Sequence, residues 1–457
     1  MRIVSRSATD RRYRRARHTT ISGATASVRP MAAGVELETT SIAIGGEGVA
    51  RDSDGRVVFV EGALAGERVM VEITDAKARF ARGIVTEVIT SASGRVAPRC
   101  PEVEAGCGGC DLAHADAETQ LAAKRAMVVD AFVRIGRIEA PAIDDGPFLA
   151  DHGFRTTVRA IVADGRAGLR RRRSHESLAV RSCRVAHPLV EELLVDGRYG
   201  DASEVTIRVG ARTGERMVIV SPTAHDVRVP HDVLVVGTDE LAAGRHAWIH
   251  EEIGGTRFRI SAGSFFQTRA DGADALVDLV RSGIGPNEPR VLVDLCCGVG
   301  LFAATVAAGR VIGVESNRSA VADARENLVG PARGGTSSRA VGAVGSGAGG
   351  SRARVVHSKF ERWSPSRADV VIADPARTGL GKGGVDAVAA TATPRLVLVS
   401  CDPASLGRDA GLLAAKGYHP TRCTLVDLFP DTSHLEVVTV FDRAGSDQAG
   451  SDGAAAG

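Results

Sequence analysis

The chain has no long apolar run and no apolar segment near its N-terminus. None of its 457 residues belongs to a stretch approaching about 18 consecutive apolar positions, the length that a membrane-spanning helix needs. The apolar core of a secretory signal is also absent. These absences exclude a membrane-spanning helix and argue against export. We therefore expect a cytoplasmic protein, with no membrane partner, that acts as a monomer.

The chain also has few lysines and a small net charge. Lys and Arg together number 57, almost all of them Arg, and the formal net charge is only +2. Abundant Ala and Gly accompany the Arg, as in proteins from GC-rich genomes. Arg content alone therefore indicates no nucleic-acid partner, and only clusters of Arg are informative.

Three segments are predicted to lie outside any packed core. Residues 1–30 are strongly basic, and we expect a disordered extension or sequence upstream of a true start at Met31. Residues 330–353 are almost entirely Gly, Ala, Ser and Arg, which predicts a flexible insertion. Residues 444–457 have a similar composition and are predicted to form a disordered tail.

Residues 31–95 are predicted to form a small OB-like β-barrel. Short apolar or alternating runs, such as Val57–Val60 and Glu67–Ile73, are separated by Gly-rich turns. The pattern that starts at Gly46-Glu47-Gly48 resembles the TRAM domain, an OB-like RNA-binding module. This resemblance implies RNA as a partner.

Residues 96–262 are predicted to form a middle domain. A helix is expected from Ala117 to Ile135, because apolar residues recur on one side. Strands are expected at Val158–Val162, Val205–Val209 and Met217–Val220. Arg170–Arg173 is the densest basic cluster outside the N-terminus, and it fits a solvated hairpin and a phosphate-contact surface equally well.

Four cysteines in this middle domain are candidate metal ligands. In a chain of this size without a signal, the clustered spacing favours metal binding or catalysis over disulfides. By ligand type alone, zinc and an iron–sulfur cluster are both open. The four residues are Cys100, Cys107, Cys110 and Cys183.

Residues 263–443 alternate strand and helix patterns, as an α/β sheet requires. The apolar runs predict six strands, at Val291–Leu295, Val311–Glu315, Val355-Val356, Val370–Ala373, Leu396–Ser400 and Glu436–Phe441.

A glycine turn follows the first of these strands. Gly298 and Gly300 permit a tight turn and close approach of a ligand to the backbone. Glu315 ends the next strand, where a carboxylate can accept hydrogen bonds from ribose hydroxyls. This motif alone leaves NAD possible, but Asp294, four residues before the first glycine, fits S-adenosylmethionine better, since that ligand has no pyrophosphate.

Two further motifs follow later strands. Asp374-Pro375-Ala376-Arg377 comes directly after one strand, and Ser400-Cys401-Asp402-Pro403 comes after another. Open α/β sheets bind ligands at the carboxyl ends of their strands. We therefore expect Asp374 and Cys401 to face a cleft.

Taken together, these motifs resemble those of the RNA uracil-5 methyltransferases. The resemblance rests on six segments, in order along the chain: GSFFQT, DLCCGVGLFA, GVESNRSAVADARENL, DPARTGL, VSCDPASLGRD and DLFPDTSHLEVVTVF. With the TRAM-like start it runs from about Val35 to Phe441. It implies an α/β fold with a Rossmann-like S-adenosylmethionine methyltransferase domain, preceded by the barrel and the middle domain.

The resemblance also implies the roles of single residues. Cys401 matches the nucleophile that adds to uracil C6, and Glu436 matches the base that removes the C5 proton. Asp374 matches an acid near the uracil edge and the cofactor. Gln267 and Glu315 match contacts to the methionine and ribose parts of S-adenosylmethionine, and Asp294, Gly298 and Gly300 belong to its glycine motif.

Three positions depart from the family pattern. An aromatic is common where Cys296 stands and Asn where Leu301 stands, so cofactor contacts are not expected from these two. Cys297 matches the usual Cys and is expected to be structural. Asp402 replaces the usual Asn beside the nucleophile and should raise the pKa of the thiol unless its carboxylate points away.

The cysteine segments resemble those that hold a 4Fe-4S cluster in one branch of this family. CGGCDLAHADAETQLAAKR and RSCRVAHPLV carry the resemblance. It implies cluster ligation by all four cysteines, with a structural or RNA-positioning role.

The combination of barrel and cluster resembles the ribosomal RNA enzymes of this family, which implies 23S ribosomal RNA as the substrate, and transfer RNA is the alternative. A non-enzymatic iron–sulfur RNA-binding protein is a second hypothesis. The presence of Cys401, Glu436, Asp374 and Gln267 argues against it.

Overall fold

The computed structural model describes residues 34–329 and 353–445. The predicted basic extension, nearly all of the predicted insertion and the tail beyond residue 445 lie outside these ranges. Within them, no helix combines the length and apolar character needed to cross a membrane.

The N-terminal unit is a closed five-stranded barrel, as predicted. Its strands pair in the order β1-β2-β3-β5-β4, and β1 pairs with β4 to complete the closure. Alternate residues point inward, so Val58, Val60, Val69 and Val71 are fully buried. The strands are β1 (Val35–Ile42), β2 (Gly48–Arg51), β3 (Val57–Glu61), β4 (Arg68–Ala76) and β5 (Phe80–Thr90).

A helical segment with one short strand follows the barrel. It contains α1 (Pro101–Glu104), α2 (Ala117–Asp130), a π-helical stretch (Ala131–Gly136) and β6 (Ile143–Asp145). Asp116 begins α2 as its N-cap by accepting a hydrogen bond from the Thr119 N–H at 2.8 Å.

The middle unit is built on a six-stranded sheet in the order β14-β12-β11-β7-β8-β9. Two short helices and two two-stranded pairs complete it. The elements are β7 (Thr157–Ala163), β8 (Arg166–Arg170), β9 (Ser177–Leu178), α3 (Pro188–Asp196), β10 (Arg198–Tyr199), β11 (Glu204–Val209), β12 (Arg216–Ser221), β13 (Val227–Arg228), β14 (Val233–Gly237), α4 (Thr238–Ala242), β15 (Trp248–Ile253) and β16 (Thr256–Ser261).

The C-terminal unit is a doubly wound α/β sheet, in agreement with the predicted Rossmann-like fold. Its strand order is β19-β18-β17-β20-β21-β23-β22-β6, and β23 runs antiparallel to its neighbours. The elements are α5 (Ala270–Ile284), β17 (Val291–Leu295), α6 (Leu301–Thr305), β18 (Arg310–Glu315), α7 (Arg318–Val329), β19 (Ala353–His357), a 3-10 turn (Phe360–Arg362), β20 (Val370–Ala373), α8 (Gly381–Ala390), β21 (Arg395–Ser400), α9 (Pro403–Ala414), β22 (Tyr418–Val426) and β23 (Glu436–Arg443).

Two segments N-terminal to residue 263 pack with this sheet. Met127, Val128 and Phe132 are buried in the core beneath β20 and β21, and β6 adds a strand beside β22. Phe258, in the β15–β16 hairpin, is buried in the core on the other face of the sheet. The apolar periodicity of a helix predicts that one of its faces is buried, but it does not show which structural unit covers that face. The domain limits at residues 95, 262 and 443 therefore remain a proposal.

This topology gathers the candidate site at one edge. Strands β17, β18, β20 and β21 are parallel and end there, whereas the antiparallel β23 begins there. Ser400 is paired with Val437, so the residue after β21 and the first residue of β23 lie side by side. Cys401 and Glu436 occupy those two positions.

Candidate active site

The glycine turn after β17 forms an open cradle. Gly298 has φ +54° and Gly300 has φ +90°, backbone conformations that favour glycine. A Cβ on Gly298 would meet no atom within 4 Å, so a ligand can approach this backbone closely. Glu315 accepts a hydrogen bond from the Gly298 N–H at 3.0 Å, which brings the carboxyl end of β18 to the turn.

Asp294 lies at 0% exposure beside this turn. Its Oδ2 accepts a hydrogen bond from the Ala303 N–H at 3.0 Å, whereas its Oδ1 has no partner in the part of the chain described. Burial raises the pKa of this carboxyl well above its usual value, and Asp374 and Glu315 raise it further. A buried oxygen without a partner is unfavourable, which makes Oδ1 a candidate contact for a ligand donor.

Leu301, which departs from the family pattern, and Cys297, which matches it, are both buried. Leu301 is buried in the core of the α/β unit. Cys297 is buried as well, and a Cβ on Gly313 would lie 2.8 Å from its Sγ, so the sulfur packs tightly on β18. Burial raises the pKa of the Cys296 and Cys297 thiols above the usual value.

Gln267 and Asp374 meet in the cleft. The Gln267 side-chain amide donates to Asp374 Oδ2 at 3.3 Å. Burial raises the pKa of Asp374 to about 7, and the hydrogen bond from Gln267 opposes that rise. The structure therefore brings together a proposed cofactor contact and a proposed catalytic acid.

Cys401 follows β21 and is half-buried. Burial raises the pKa of its thiol to about 12, and the nearby carboxyls of Glu436 and Asp374 raise it too, whereas Arg377 lowers it. These influences show that the thiol, both carboxyls and the guanidinium share one small region.

Asp402 points away from that thiol. Its Oδ1 accepts a hydrogen bond from the Ser405 N–H at 2.7 Å, and the residue is the N-cap of α9. The largest influences on the pKa of the Cys401 thiol come from burial, Glu436, Asp374 and Arg377, and not from Asp402. The expectation that Asp402 raises the thiol's pKa therefore does not apply, because the capping interaction holds its carboxylate elsewhere.

Glu436 begins β23 and is only 4% exposed. Burial raises the pKa of its carboxyl well above the usual value, Asp374 raises it further, and Arg377 lowers it. Arg377 Nη2 also lies 3.4 Å from His434 Nε2, two residues before Glu436. A raised pKa is suited to a base that must exchange protons near neutral pH.

Arg377 and His434 were assigned no role from the sequence. Both lie inside the motifs that carry the family resemblance, so their positions were visible there. The contact between them, and the approach of Arg377 to the thiol, were not visible, because they depend on two loops that follow strands β20 and β22.

The four candidate metal ligands also converge. Burial raises the pKa of Cys110 to about 12, and Cys183, Cys107 and Cys100 each raise it further, so the four thiols are close enough to interact. Burial raises the pKa of the Cys107 and Cys183 thiols as well, whereas the backbone of Gly109 lowers that of Cys107 and the backbone of Val185 and Ala186 lowers that of Cys183. Among the described residues, no three His, Cys, Asp or Glu side chains are grouped tightly enough to hold one metal ion.

All four members of the Arg170–Arg173 cluster are paired with acids, Arg170 with Glu204 and Arg171 with Glu176 at 3.9 Å each. Arg173 forms ion pairs with Glu47 and with Glu61, the latter at 2.7 Å, and Arg172 lies 3.3 Å from Glu61. Glu47 and Glu61 belong to the barrel. Arg172 and Arg173 therefore hold the middle unit against the barrel, and a contact with phosphate remains a prediction.

Comparisons with known proteins agree with this architecture. Residues 34–86 match the family model of the TRAM domain, and residues 252–444 match the model described as tRNA (Uracil-5-)-methyltransferase. An uncharacterised RNA methyltransferase from Streptomyces avermitilis is 34% identical over 440 residues, which cover 90% of this chain and 98% of that protein. The 23S rRNA (uracil(1939)-C(5))-methyltransferase RlmD of Methylococcus capsulatus is 31% identical and covers 91% of this chain and 97% of its own length.

A solved structure supports the fold over nearly the whole chain. The tRNA (uracil-54, C5)-methyltransferase of Pyrococcus abyssi, in complex with S-adenosyl-L-homocysteine, aligns with a TM-score of 0.63 at 21% identity. The alignment covers 89% of this chain and 99% of that one. At this identity the likeness concerns the fold alone.

Proposed function

This chain belongs to the RNA uracil-5 methyltransferase family, and from that membership we propose that it methylates C5 of a uridine in ribosomal RNA through a covalent adduct of Cys401. S-adenosylmethionine is the methyl donor. The single observation that carries the residue assignment is the meeting of Cys401, Glu436 and Asp374 at one edge of the sheet. A thiol beside two carboxyls of raised pKa provides a nucleophile and proton acceptors in one place.

The glycine turn and its neighbours are proposed to hold S-adenosylmethionine. Gly298 and Gly300 supply backbone that a ligand can approach, and Glu315 supplies a carboxylate for the ribose hydroxyls. The unpartnered Oδ1 of Asp294 is a free acceptor beside the turn. Gln267 extends the site from the turn toward the motif after β20, where it meets Asp374.

The first chemical step is addition of the thiol to the base. The thiol proton passes to the Asp374 carboxylate, which returns it at the end of the reaction, and the sulfur forms a bond to uracil C6. The electrons of the C5–C6 double bond move toward O4, which leaves C5 as a nucleophilic enolate carbon. Arg377, which lowers the pKa of Cys401, favours the thiolate that this step needs.

Methyl transfer and elimination complete the reaction. C5 forms a bond to the methyl carbon while the bond from that carbon to the sulfonium breaks, and S-adenosylhomocysteine leaves. Glu436 then takes the proton from C5, the C5–C6 double bond re-forms, and the bond from C6 to Cys401 breaks. One methyl group has been added, one proton is released, and the thiol is restored.

Cys100, Cys107, Cys110 and Cys183 are proposed to hold a 4Fe-4S cluster. Such a cluster needs one thiolate for each of its four irons, and these four thiols lie close enough to influence one another. Arg155 and Arg172 interact with the thiols and compensate negative charge. The cluster supplies a structural link and takes no part in methyl transfer.

Ribosomal RNA is the proposed substrate because of the relative from Methylococcus capsulatus, which acts on 23S rRNA and matches this chain over 97% of its length. Transfer RNA is the second candidate, since the matching family model is described by that substrate. In either RNA the uridine must leave its stack for C6 to reach Cys401.

The deciding experiment is mass-spectrometric mapping of 5-methyluridine in total RNA from a deletion strain. We expect one 5-methyluridine to disappear from 23S rRNA and to return when the wild-type gene, but not the Cys401→Ala gene, is restored. Loss of 5-methyluridine from transfer RNA alone would identify transfer RNA as the substrate, and the proposed reaction would still stand. No loss from any RNA would contradict the proposed function.

A further inference from the structure

The segment that leads into Glu436 is held by other parts of the chain. Residues 427–435 connect β22 to β23 and contain no helix or strand of their own. Helix α2 supplies two anchors. Lys124 Nζ donates to Asp427 Oδ1 at 2.6 Å, and Gln120 accepts from the Asp431 N–H at 2.7 Å while donating to Asp431 Oδ1 at 3.1 Å.

A second set of contacts comes from the cysteine loop. Asp111 directly follows Cys110, and its Oδ1 accepts a hydrogen bond from the Ser433 N–H at 2.9 Å. The next residue, Leu112, donates its N–H to the Asp431 carbonyl, also at 2.9 Å. Ser433 stands three residues before Glu436, so this contact lies one short step from the proposed base.

A turn of the barrel also contacts Asp111 and the segment before Glu436. Gly46, in the turn between β1 and β2, has φ +81°. A Cβ at this position would lie 2.4 Å from Asp111 Oδ2 and 3.4 Å from the Ser433 Cβ. The barrel turn, the cysteine loop and the segment before Glu436 therefore meet at one point, where Asp111 contacts both of the others.

We propose that Asp111 is a positioning residue that sets the place of Glu436, and that Gly46, in the barrel turn between β1 and β2, packs against Asp111 and keeps its side chain in place. The barrel is then part of the catalytic geometry and not only a binding module. This inference rests on the proposed role of Glu436 as the base.

Because Asp111 acts on the segment before the base, its loss affects one step more than the others. Cys401 stands on a different segment, between β21 and α9, so addition to C6 and methyl transfer can still occur. Removal of the C5 proton needs Glu436 in place, and a displaced base leaves the methylated adduct bound to Cys401. The signature of the positioning role is therefore accumulation of a covalent protein–RNA adduct.

The first test compares Asp111→Ala with Asp111→Asn. The Ala variant has no acceptor for the Ser433 N–H, whereas the Asn variant keeps a side-chain oxygen there. We expect Asp111→Ala to lower kcat on the order of 10- to 100-fold with the KM for S-adenosylmethionine unchanged, and to increase the adduct fraction on a denaturing gel. Asp111→Asn is expected to restore both. Iron content is measured in parallel.

The second test uses two neighbouring glycines as a matched pair. Gly45 and Gly46 both have positive φ, +103° and +81°, so Ala strains the backbone at both. A Cβ on Gly45 would meet no atom within 4 Å, whereas one on Gly46 would collide with Asp111. We expect Gly46→Ala to accumulate adduct as Asp111→Ala does, and Gly45→Ala to behave as wild type.

Several results would overturn the inference. For Asp111→Ala, these results are wild-type behaviour, a fall in kcat without an increase in adduct, or iron loss as complete as in Cys110→Ala. Failure of Asp111→Asn to restore kcat and the adduct level would also contradict it. So would equal effects of Gly45→Ala and Gly46→Ala. Wild-type enzyme that forms no 5-methyluridine would overturn the proposed function itself, and with it this inference.

Discussion

Gln267 donates a hydrogen bond to Asp374 at 3.3 Å, although 107 residues separate them in the chain. The contact joins the segment before α5 to the motif after β20. Asp374 needs such a donor, because burial raises the pKa of its carboxyl to about 7. At neutral pH the site thus holds a carboxylate in surroundings that favour its protonated form.

Asp374→Asn is therefore expected to stabilise the fold while abolishing methyl transfer. The folded-state pKa of Asp374 lies above the unfolded value near 3.8, so the folded protein binds this proton more tightly and loses stability as pH rises from about 4 to about 7. Asn carries no such charge. At pH 8 we expect a gain on the order of 1–3 kcal/mol, vanishing below about pH 4, in denaturation curves of the two proteins. An equal difference at pH 4 and pH 8 would contradict the raised pKa.

Cys401→Ala is expected to abolish methyl transfer and to leave binding of S-adenosylmethionine within about twofold of wild type, since the thiol contacts the base and not the sulfonium. Isothermal titration measures the binding and 5-methyluridine formation measures the activity. Cys423→Ala is the matched control, because Cys423 is fully buried in β22 and should affect stability but not chemistry. Normal turnover by Cys401→Ala would remove Cys401 as the nucleophile.

Glu436→Gln is expected to trap a covalent complex with RNA. Addition and methylation can proceed, but Gln cannot accept the C5 proton, so the C6–sulfur bond persists. A denaturing gel with labelled RNA measures the adduct. The Cys401→Ala/Glu436→Gln double variant should show none. If Glu436→Gln turns over normally and forms no adduct, another residue is the base.

The motifs at strand ends were predictable because parallel strands buried on both faces are short apolar runs. Val291–Leu295 and Val370–Ala373 were predicted with the bounds that the structure has. The residue after each such strand then faces the same edge of the sheet, which placed Asp374 near the glycine turn.

The remaining features depend on contacts that no local pattern carries. Ile143–Asp145 has two acids in three residues and does not read as a strand, yet β22 recruits it as the edge of the sheet. The sequence gives no sign that Arg172 and Arg173 form ion pairs, because their partners, Glu47 and Glu61, lie more than a hundred residues away. Asp402 could be assigned only once its contact with Ser405 was known.

Protein purified without oxygen is expected to be brown and to contain iron and sulfide. Cys110→Ala should lose both and unfold at a lower temperature, because the cysteine loop is held against the segment before Glu436. Cys423→Ala is the control, because it makes the same substitution at a cysteine outside the proposed cluster. This variant should keep its iron. Stoichiometric zinc without iron would contradict the 4Fe-4S assignment.

The Phe148 side chain is 94% exposed, although hydrogen bonds hold the backbone on both sides of it. The Gly146 N–H donates to the Leu425 carbonyl at 2.7 Å, and the Ala150 carbonyl accepts from Arg269 at 2.9 Å. The loop follows β6, two strands from β23, so its start lies about 10 Å from Glu436 along the same edge.

An aromatic ring held in solvent beside this cleft is suited to stack on a nucleobase next to the target uridine. Stacking of one base contributes about 1–3 kcal/mol, so Phe148→Ala should weaken RNA binding on the order of 5- to 150-fold, with kcat at saturating RNA unchanged. Phe148→Trp should preserve affinity, whereas Phe148→Leu, which keeps apolar bulk but lacks a ring, should not. Fluorescence anisotropy of the mapped RNA fragment measures the affinity, and 2-aminopurine beside the target should be quenched by wild type but not by Phe148→Ala. If Phe148→Leu binds as wild type does, the ring is not a stacking platform, and its exposure has another cause.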